Sequence, residues 1–278
     1  MSILLKLSRF VGLSEGIDMR GQDLAKRLAA MIGLEVGRRA SEPGITYFVL
    51  YDKVTNFPII AIYNGSEVES IFIESDFFNY LKQNFDFNPS FHFGSKILFS
   101  YLFDRVKVDL KDITTIVRGA RKYLSVIRRA NRVVIKAMKS LFNLLKELEK
   151  KYPERELLIS YEETREYVEV VLSTTKYSSY PGVKRQLVRV GIHKANFDHL
   201  GLHIRVPGEA GRRAWKELKR GGALLRKLDD NVKDVDWDPD YGGGFVDVII
   251  IYHNPVSPKD TEVLSKVIEN NLDFYFQQ

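Results

Sequence analysis

Three of the five histidines stand close together in the chain, at His193, His199 and His203. The neighbouring runs Val188–His193 and Leu200–Val206 alternate between apolar and other residues, as half-buried β-strands do. Because the histidines fall on the parity opposite to the apolar residues, we expect them on the sheet face turned away from a helix-packed core. Imidazoles on such a face can help to bind a nucleic-acid backbone or another phosphate.

A five-residue hairpin loop at Lys194–Asp198 would fix the register of these two strands. The resulting cross-strand pairs are His193 with His199, Gly191 with Gly201, Arg189 with His203 and Leu187 with Arg205. The sequence therefore predicts a flat, basic face with glycines in the middle. A solvated face, or one covered by a helix, is the alternative. A metal ion shared by His199 and His203 is disfavoured, since four residues span about 13 Å along a strand.

A second group of side chains is acidic. Asp236, Asp238 and Asp240 alternate with other residues, and Asp247 stands at the twelfth position counted from Asp236. Carboxylates at this spacing resemble the ligands of a calcium loop, but the sixth position is Tyr241 where an EF-hand needs glycine. Two interpretations stay open: a divalent metal site made by Asp236, Asp238 and Asp240, or a solvated acidic loop.

A third group is basic. Between Lys111 and Lys139 the chain carries nine basic residues against one acidic residue, Asp112. Eight of the nine form what we call the basic stripe: Arg118, Arg121, Lys122, Arg128, Arg129, Arg132, Lys136 and Lys139. Closely spaced cations of this kind are typical of contacts with nucleic-acid phosphates.

One long helix is predicted to position the basic stripe. No proline occurs between Leu110 and Lys151, and at 1.5 Å per residue such a helix spans about 60 Å. Apolar residues recur at spacings of four and three in what we call the apolar seam, interrupted by one polar residue, Asn131. The seam comprises Ile113, Val117, Ala120, Leu124, Ile127, Asn131, Val134, Met138, Leu141, Leu145 and Leu148.

The seam predicts burial, and one flank of it that includes Val126 and Val133 is nearly free of charge and is expected to be buried too. If the seam pairs with a second copy, Asn131 meets its counterpart. If the helix packs within one chain, Asn131 should bond a backbone group, and this is the outcome we expect.

The fold class predicted is α+β, with two β-β-β-α-β-α modules, mainly antiparallel sheets and the long helix between them. Two interpretations of their similarity stay open: an internal duplication, or two unrelated α+β domains of common shape. The domains are residues 1–109, 110–152 and 153–278. Strands are predicted at Ile45–Tyr51, Pro58–Tyr63, Val68–Glu74, Ile97–Phe103, Tyr167–Ser173, Gln186–His193, Leu200–Val206 and Phe245–Tyr252. Shorter helices are predicted at Met1–Leu13, Gly21–Ile32, Ser75–Gln83, Glu209–Leu228 and Pro258–Phe274, the third capped by Ser75 or Asp76.

The amino-acid composition excludes some classes of function and favours others. The 278 residues include no cysteine, which excludes disulfides and thiolate metal sites and favours a cytoplasmic location. No apolar stretch approaches the roughly 20 residues of a membrane span. The net charge of +6 favours polyanionic partners, although a highly charged surface also fits a thermophile. No phosphate-binding or hydrolase motif occurs.

These observations favour an intracellular, non-enzymatic protein that associates with nucleic acid through backbone phosphates. The first alternative is an assembly or adaptor protein that binds another protein, or a second copy, through the long helix. The second is a metal-dependent hydrolase that uses the Asp236–Asp247 segment. No cofactor is expected, apart from a divalent metal in that last case.

Overall fold

Each half of the chain forms one antiparallel sheet of six strands. The computed structural model describes residues 20–64, 70–164, 166–176, 184–194, 196–205, 230–238 and 245–276. The strands of the first sheet are β1 (Glu35–Glu42), β2 (Ile45–Tyr51), β3 (Pro58–Tyr63), β4 (Ile71–Glu74), β5 (Phe91–Leu98) and β6 (Tyr101–Lys107). The strands of the second are β7 (Leu157–Glu163), β8 (Tyr167–Thr174), β9 (Arg185–His193), β10 (His199–Arg205), β11 (Val232–Asp238) and β12 (Phe245–Tyr252). The helices of the described residues are α1 (Gly21–Ile32), α2 (Ser75–Phe85), α3 (Leu110–Lys151), α4 (Pro258–Asn270) and α5 (Leu272–Phe276), with one 3-10 turn at Pro153–Arg155.

The two sheets have the same strand order. It is β1-β2-β3-β4-β6-β5 in the first and β7-β8-β9-β10-β12-β11 in the second. In each sheet four successive strands form a meander, and the sixth strand then pairs with the fourth. This arrangement confirms the predicted α+β class with two similar antiparallel modules. The shared order is also the result that an internal duplication predicts.

The long helix α3 belongs to both units. Its observed span, Leu110–Lys151, agrees with the connecting helix predicted at residues 110–152 and lies within a stretch without proline. The chain divides into the units Met1–Arg128 and Arg129–Gln278, so the division falls inside α3 and not at its ends. The first part of α3 follows β6 as α4 follows β12, and its second part precedes β7 as α1 precedes β1. In a duplicated chain, α3 is therefore the last helix of one repeat and the first helix of the next.

Each sheet contains two strands that the sequence pattern did not predict: β1 and β5 in the first, and β7 and β11 in the second. The run Ile97–Phe103, predicted as one strand, is a hairpin. Phe99 and Ser100 have φ of 55° and 71° and turn the chain, so that Leu98 pairs with Tyr101. A two-residue hairpin turn with both φ positive usually carries Asn or Gly. Neither residue stands at this turn, which is why the sequence gives no turn signal.

The remaining element predictions that fall within the described residues agree closely with the structure. Gly21–Ile32, Ile45–Tyr51, Pro58–Tyr63 and Phe245–Tyr252 are observed with the predicted bounds. The helix predicted at Pro258–Phe274 ends at Asn270, and α5 follows it. The predicted helices Met1–Leu13 and Glu209–Leu228 lie outside the described residues. No helix of the described residues is long and apolar enough to cross a membrane.

The apolar seam of α3 is buried along its whole length. All eleven of its residues are at most 5% exposed. From Val134 onward the seam packs against the apolar face of the second sheet, including Val170, Val190 and Leu200. The flank differs from the expectation, because Val126 and Val133 are 55% and 36% exposed. The chain itself therefore covers the seam but leaves part of the flank in solvent.

Asn131, the polar residue of the seam, bonds a backbone group as expected for packing within one chain. It is 2% exposed, and its Nδ2 donates to the carbonyl oxygen of Lys194, 3.4 Å away. Lys194 follows the last residue of β9, and its Nζ lies 2.9 Å from Oε1 of Glu163. Asn131 therefore ties the helix to the hairpin loop after β9.

Replacing Asn131 with leucine should destabilise the protein. The change leaves the Lys194 carbonyl without this donor, which costs about 1–3 kcal/mol. Urea unfolding measures the loss, and Asn143→Leu, at an exposed position of the same helix, is the matched control. A variant more stable than the wild type, with dimers or larger species in light scattering, would contradict the intrachain role.

The N-terminus of α2 is capped by Glu74 and not by Ser75 or Asp76 as the sequence suggested. The Glu74 carboxylate accepts hydrogen bonds from the backbone N–H groups of Asp76 and Phe77. The Ser75 hydroxyl is used elsewhere, since it donates to the Asp104 carboxylate 2.6 Å away. Burial of the carboxyl group raises the pKa of Glu74 to about 7, and the negative charges of Asp76 and Asp104 add to this effect.

The raised pKa of Glu74 makes the stability of the protein depend on pH. Between the ordinary value of 4.5 and about 7, the folded chain holds a proton that the unfolded chain has lost, so the free energy of unfolding falls as pH rises. Glu74→Gln keeps one acceptor and removes the titration. The variant should gain about 3 kcal/mol relative to the wild type between pH 4 and pH 8. Denaturant unfolding across that range measures the gain, and a constant difference at all pH values would contradict it.

Candidate functional site

One face of the second sheet is open and polar. The apolar residues of β9 and β10, such as Val190 and Leu202, are buried on the helix side. The register between the two strands is the predicted one, because Gly191 stands opposite Gly201 and Arg189 stands opposite His203. We call this surface the glycine face; it comprises Tyr167, Glu169, Arg189, Gly191, His193, His199, Gly201, His203, Asp247 and Ile249.

The neighbouring strands extend the rows on this face. On β8, Glu169 stands opposite Gly191 and Tyr167 stands opposite His193. On β12, Asp247 stands opposite His203 and Ile249 stands opposite Gly201. The central row therefore reads Ile249–Gly201–Gly191–Glu169, with both glycines in its middle. The surface forms an open depression of about 570 Å³ above this row.

The backbone conformation does not require glycine at position 191 or 201. Neither has a positive φ. A Cβ added at Gly201 would have Gly191 O as its nearest neighbour at 3.7 Å, and one added at Gly191 would meet Glu169 Cγ at 3.6 Å. These are ordinary contact distances, so side chains would fit at both positions. The glycines keep the depression open.

The glycine face carries charges of both signs, whereas the sequence predicted a basic face. The Arg189 guanidinium is paired with the Glu169 carboxylate, and His203 Nδ1 is bonded to the Asp247 carboxylate. Glu169 was missed, although its parity in β8, opposite to the buried Val168 and Val170, places it on this face. The face is close to electrical balance and is not suited to a polyanion alone.

The histidines differ in their surroundings. His199 Nδ1 lies 2.8 Å from Oδ1 of Asp198, so this carboxylate orients its ring. His193 packs edge to face against Tyr167, with ring centroids 4.7 Å apart. Burial lowers the pKa of His193, against the opposing effect of the Glu166 charge, which favours a neutral ring at pH 7. Arg205 ends β10, beyond the depression.

The acidic group lies next to the glycine face. Asp236 and Asp238 are on strand β11 and not in a loop, and they stand opposite Ile249 and Asp247. Two groups that are distinct in the sequence therefore meet on one sheet. Asp240 lies outside the described residues. Within the described part of the chain, no cluster of three His, Asp or Glu side chains could hold a metal ion.

On the first sheet, the face that corresponds to the glycine face is buried. There, side chains that belong to no helix form a buried cluster of Tyr47, Val49, Ala61, Phe72, Leu98 and Phe103. Tyr47 and Phe72 pack edge to face at 5.5 Å. The two units thus share a strand order, but one fills this face with aromatic rings while the other leaves glycines there.

Most of the basic stripe is engaged by its own unit. Arg121 donates to the carbonyl of Met31, in the last turn of α1, at 3.0 Å from Nε. Arg128 is bonded to the Asp52 carboxylate at 2.6 Å. Arg118 and Lys122 both lie over the ring of Phe85, and Lys139 lies over the ring of Tyr161.

Three cations of the stripe differ from the others. Arg129, Arg132 and Lys136 are exposed, and their side chains make no hydrogen bond, ion pair or ring contact with another described residue. All three belong to the second unit. At spacings of three and four residues they share one side of α3. They form the part of the stripe that is available to an external anion.

Comparison with known proteins adds no family assignment. No protein-family model matches the sequence, and no curated protein matches it.

Arg128 and Arg129 are adjacent in sequence but should respond differently to substitution. The side chain of Asp52 is fully buried, so Arg128→Met leaves a buried carboxylate without its cation. We expect a loss of about 3 kcal/mol in the free energy of unfolding. Arg129→Met, at an exposed site, should change it by less than about 0.5 kcal/mol. Equal effects in urea unfolding would contradict the distinction between structural and available cations.

Proposed function

We propose that the protein associates with nucleic acid through phosphate contacts made by Arg129, Arg132 and Lys136. The observation that carries the proposal is the exposure of these three cations without a partner among the described residues. Cations held in internal ion pairs have less to gain from an external phosphate. Within the described part of the chain, these three cations have no such competitor.

The spacing of the three cations supports contact with a chain of phosphates. Residues three and seven positions apart lie on one side of a helix, and here they span about 10 Å. Neutralising phosphates releases condensed counterions, which gives such contacts most of their affinity. The net charge of +6 favours the approach of a polyanion over the whole molecule.

The adaptor hypothesis relied on the apolar seam. Because the chain covers all of the seam, that surface is not available to a partner helix. Nucleic-acid association is therefore the function that the described surfaces support better.

The test is the triple charge reversal Arg129→Glu, Arg132→Glu and Lys136→Glu. Binding of labelled single- and double-stranded DNA and RNA is measured by fluorescence anisotropy across a salt series. We expect a large loss of affinity and a salt slope, log K against log salt, that is shallower by about 2 to 3, since each lost phosphate contact removes about 0.7 to 0.9.

The matched control applies the same change of net charge elsewhere in the second unit. Lys150, Lys259 and Lys266 are exposed, and their replacement by Glu should reduce affinity only through the lower net charge. Circular dichroism checks that both triple variants fold. Equal affinity and equal slope in the two variants would refute the proposed role of the helix.

A further inference from the structure

Gly191 and Gly201 leave a space on the glycine face that side chains could fill without disturbing the fold. Glycine in the interior of a strand weakens it, because its backbone is freer in the unfolded chain and it contributes no side chain to pack. Here two glycines stand opposite each other on the third and fourth strands of a six-stranded order, and both positions would accept a side chain. Glycines in such places allow a ligand to approach the backbone closely.

The floor and the rim of the depression define the shape of the ligand. The floor consists of the peptide groups of Gly191 and Gly201, which are flat. Ile249 borders the floor on one side and is 41% exposed, and Tyr167 near its end is 45% exposed. Apolar side chains that stay exposed beside a bare backbone suit the faces and edges of a planar, partly apolar group.

The charged side chains on the rim of the depression limit the chemistry of the ligand that it can bind. Glu169 is paired with Arg189 and Asp247 is paired with His203, but a carboxylate has about four acceptor sites, which is more than one ion pair uses. A phosphate would meet two carboxylates here, and a simple cation would meet the guanidinium. A neutral group with both donors and acceptors on its edge has no such conflict.

We propose that the glycine face binds a nucleobase, which lies flat over Gly191 and Gly201 with opposite edges toward Glu169 and Asp247. A nucleobase is planar and uncharged at pH 7, and it carries both donors and acceptors on its edge. Base stacking on aromatic side chains is tolerant of sequence and adds affinity for single strands, and Tyr167 provides such a ring on this face. The base can belong to a free nucleoside or to an unstacked position of a single strand.

This inference is independent of the helix cations. A nucleoside carries no phosphate, so its binding tests the glycine face alone. The four ribonucleosides are titrated into the full chain by calorimetry. A single-stranded DNA of mixed sequence and an abasic strand of the same length are compared by fluorescence anisotropy.

The deciding variant is Gly201→Val, which fills the depression with a β-branched side chain that strands favour. Gly201→Ala is a milder form, since its added carbon has no neighbour closer than 3.7 Å. Ser160→Val is the matched control, because it adds the same side chain at an exposed position of β7, opposite Val171 and away from the depression. Thermal midpoints of the Gly201 variants should equal or exceed that of the wild type.

We expect at least one nucleoside or the base-bearing strand to bind the wild type and to lose affinity about tenfold or more in Gly201→Val, but not in Ser160→Val. Loss for nucleosides alone assigns a free nucleoside as the ligand, and loss for the strand alone assigns an unstacked base. The abasic strand should bind wild type and variant equally. If nucleosides and the base-bearing strand show no difference between wild type and Gly201→Val, the inference is wrong. Nucleoside binding without any strand binding would instead refute the proposed function of the helix while leaving this site in place.

Discussion

The structure depends on one helix that contributes buried residues to both units. Every residue of the apolar seam of α3 is buried, yet the first part of the helix belongs to one unit and the second part to the other. The apolar positions of this helix keep one phase throughout its 42 residues, across the boundary between the two units. The regular spacing, which in isolation is typical of a coiled coil, is here buried by the chain itself.

The shared strand order leaves one face of each sheet free to differ. In both units the helix side must be apolar, because it forms the core. The opposite face has no such constraint, and the two units use it in different ways. The first fills it with Tyr47, Phe72 and Phe103, whereas the second places Gly191 and Gly201 at its centre. The folded core is therefore the shared property of the units, and the opposite face is where they differ.

Much of this could be predicted from the sequence because periodicity reports burial directly. The bounds of α3, the parity of the histidines and the pairing of Gly191 with Gly201 all follow from apolar spacing and loop length. A single polar residue in an apolar seam also predicted the buried bond of Asn131.

What the sequence did not show depends on contacts between distant segments. Arg128 and Arg129 look alike in the chain, but only Arg128 meets the buried carboxylate of Asp52. The face around the histidines looked basic because Glu169 and Asp247 come from other strands. Strand β11 was taken for an acidic loop, although the run Val235-Asp236-Trp237-Asp238 does alternate. In each case the sequence identified the residue but did not show which distant side chain or strand lies next to it.

Backbone amide shifts of the labelled full chain, recorded by NMR during titration with a short single-stranded oligonucleotide, test most directly that the second unit carries the binding surfaces. We expect two groups of amides to shift: those around Gly191 and Gly201, and those around Arg129, Arg132 and Lys136. The amides of Val49 and Ala61, on the closed face of the first sheet, should stay unchanged. Shifts confined to the first unit, with Gly191 and Gly201 unaffected at saturation, would contradict the assignment of function to the second.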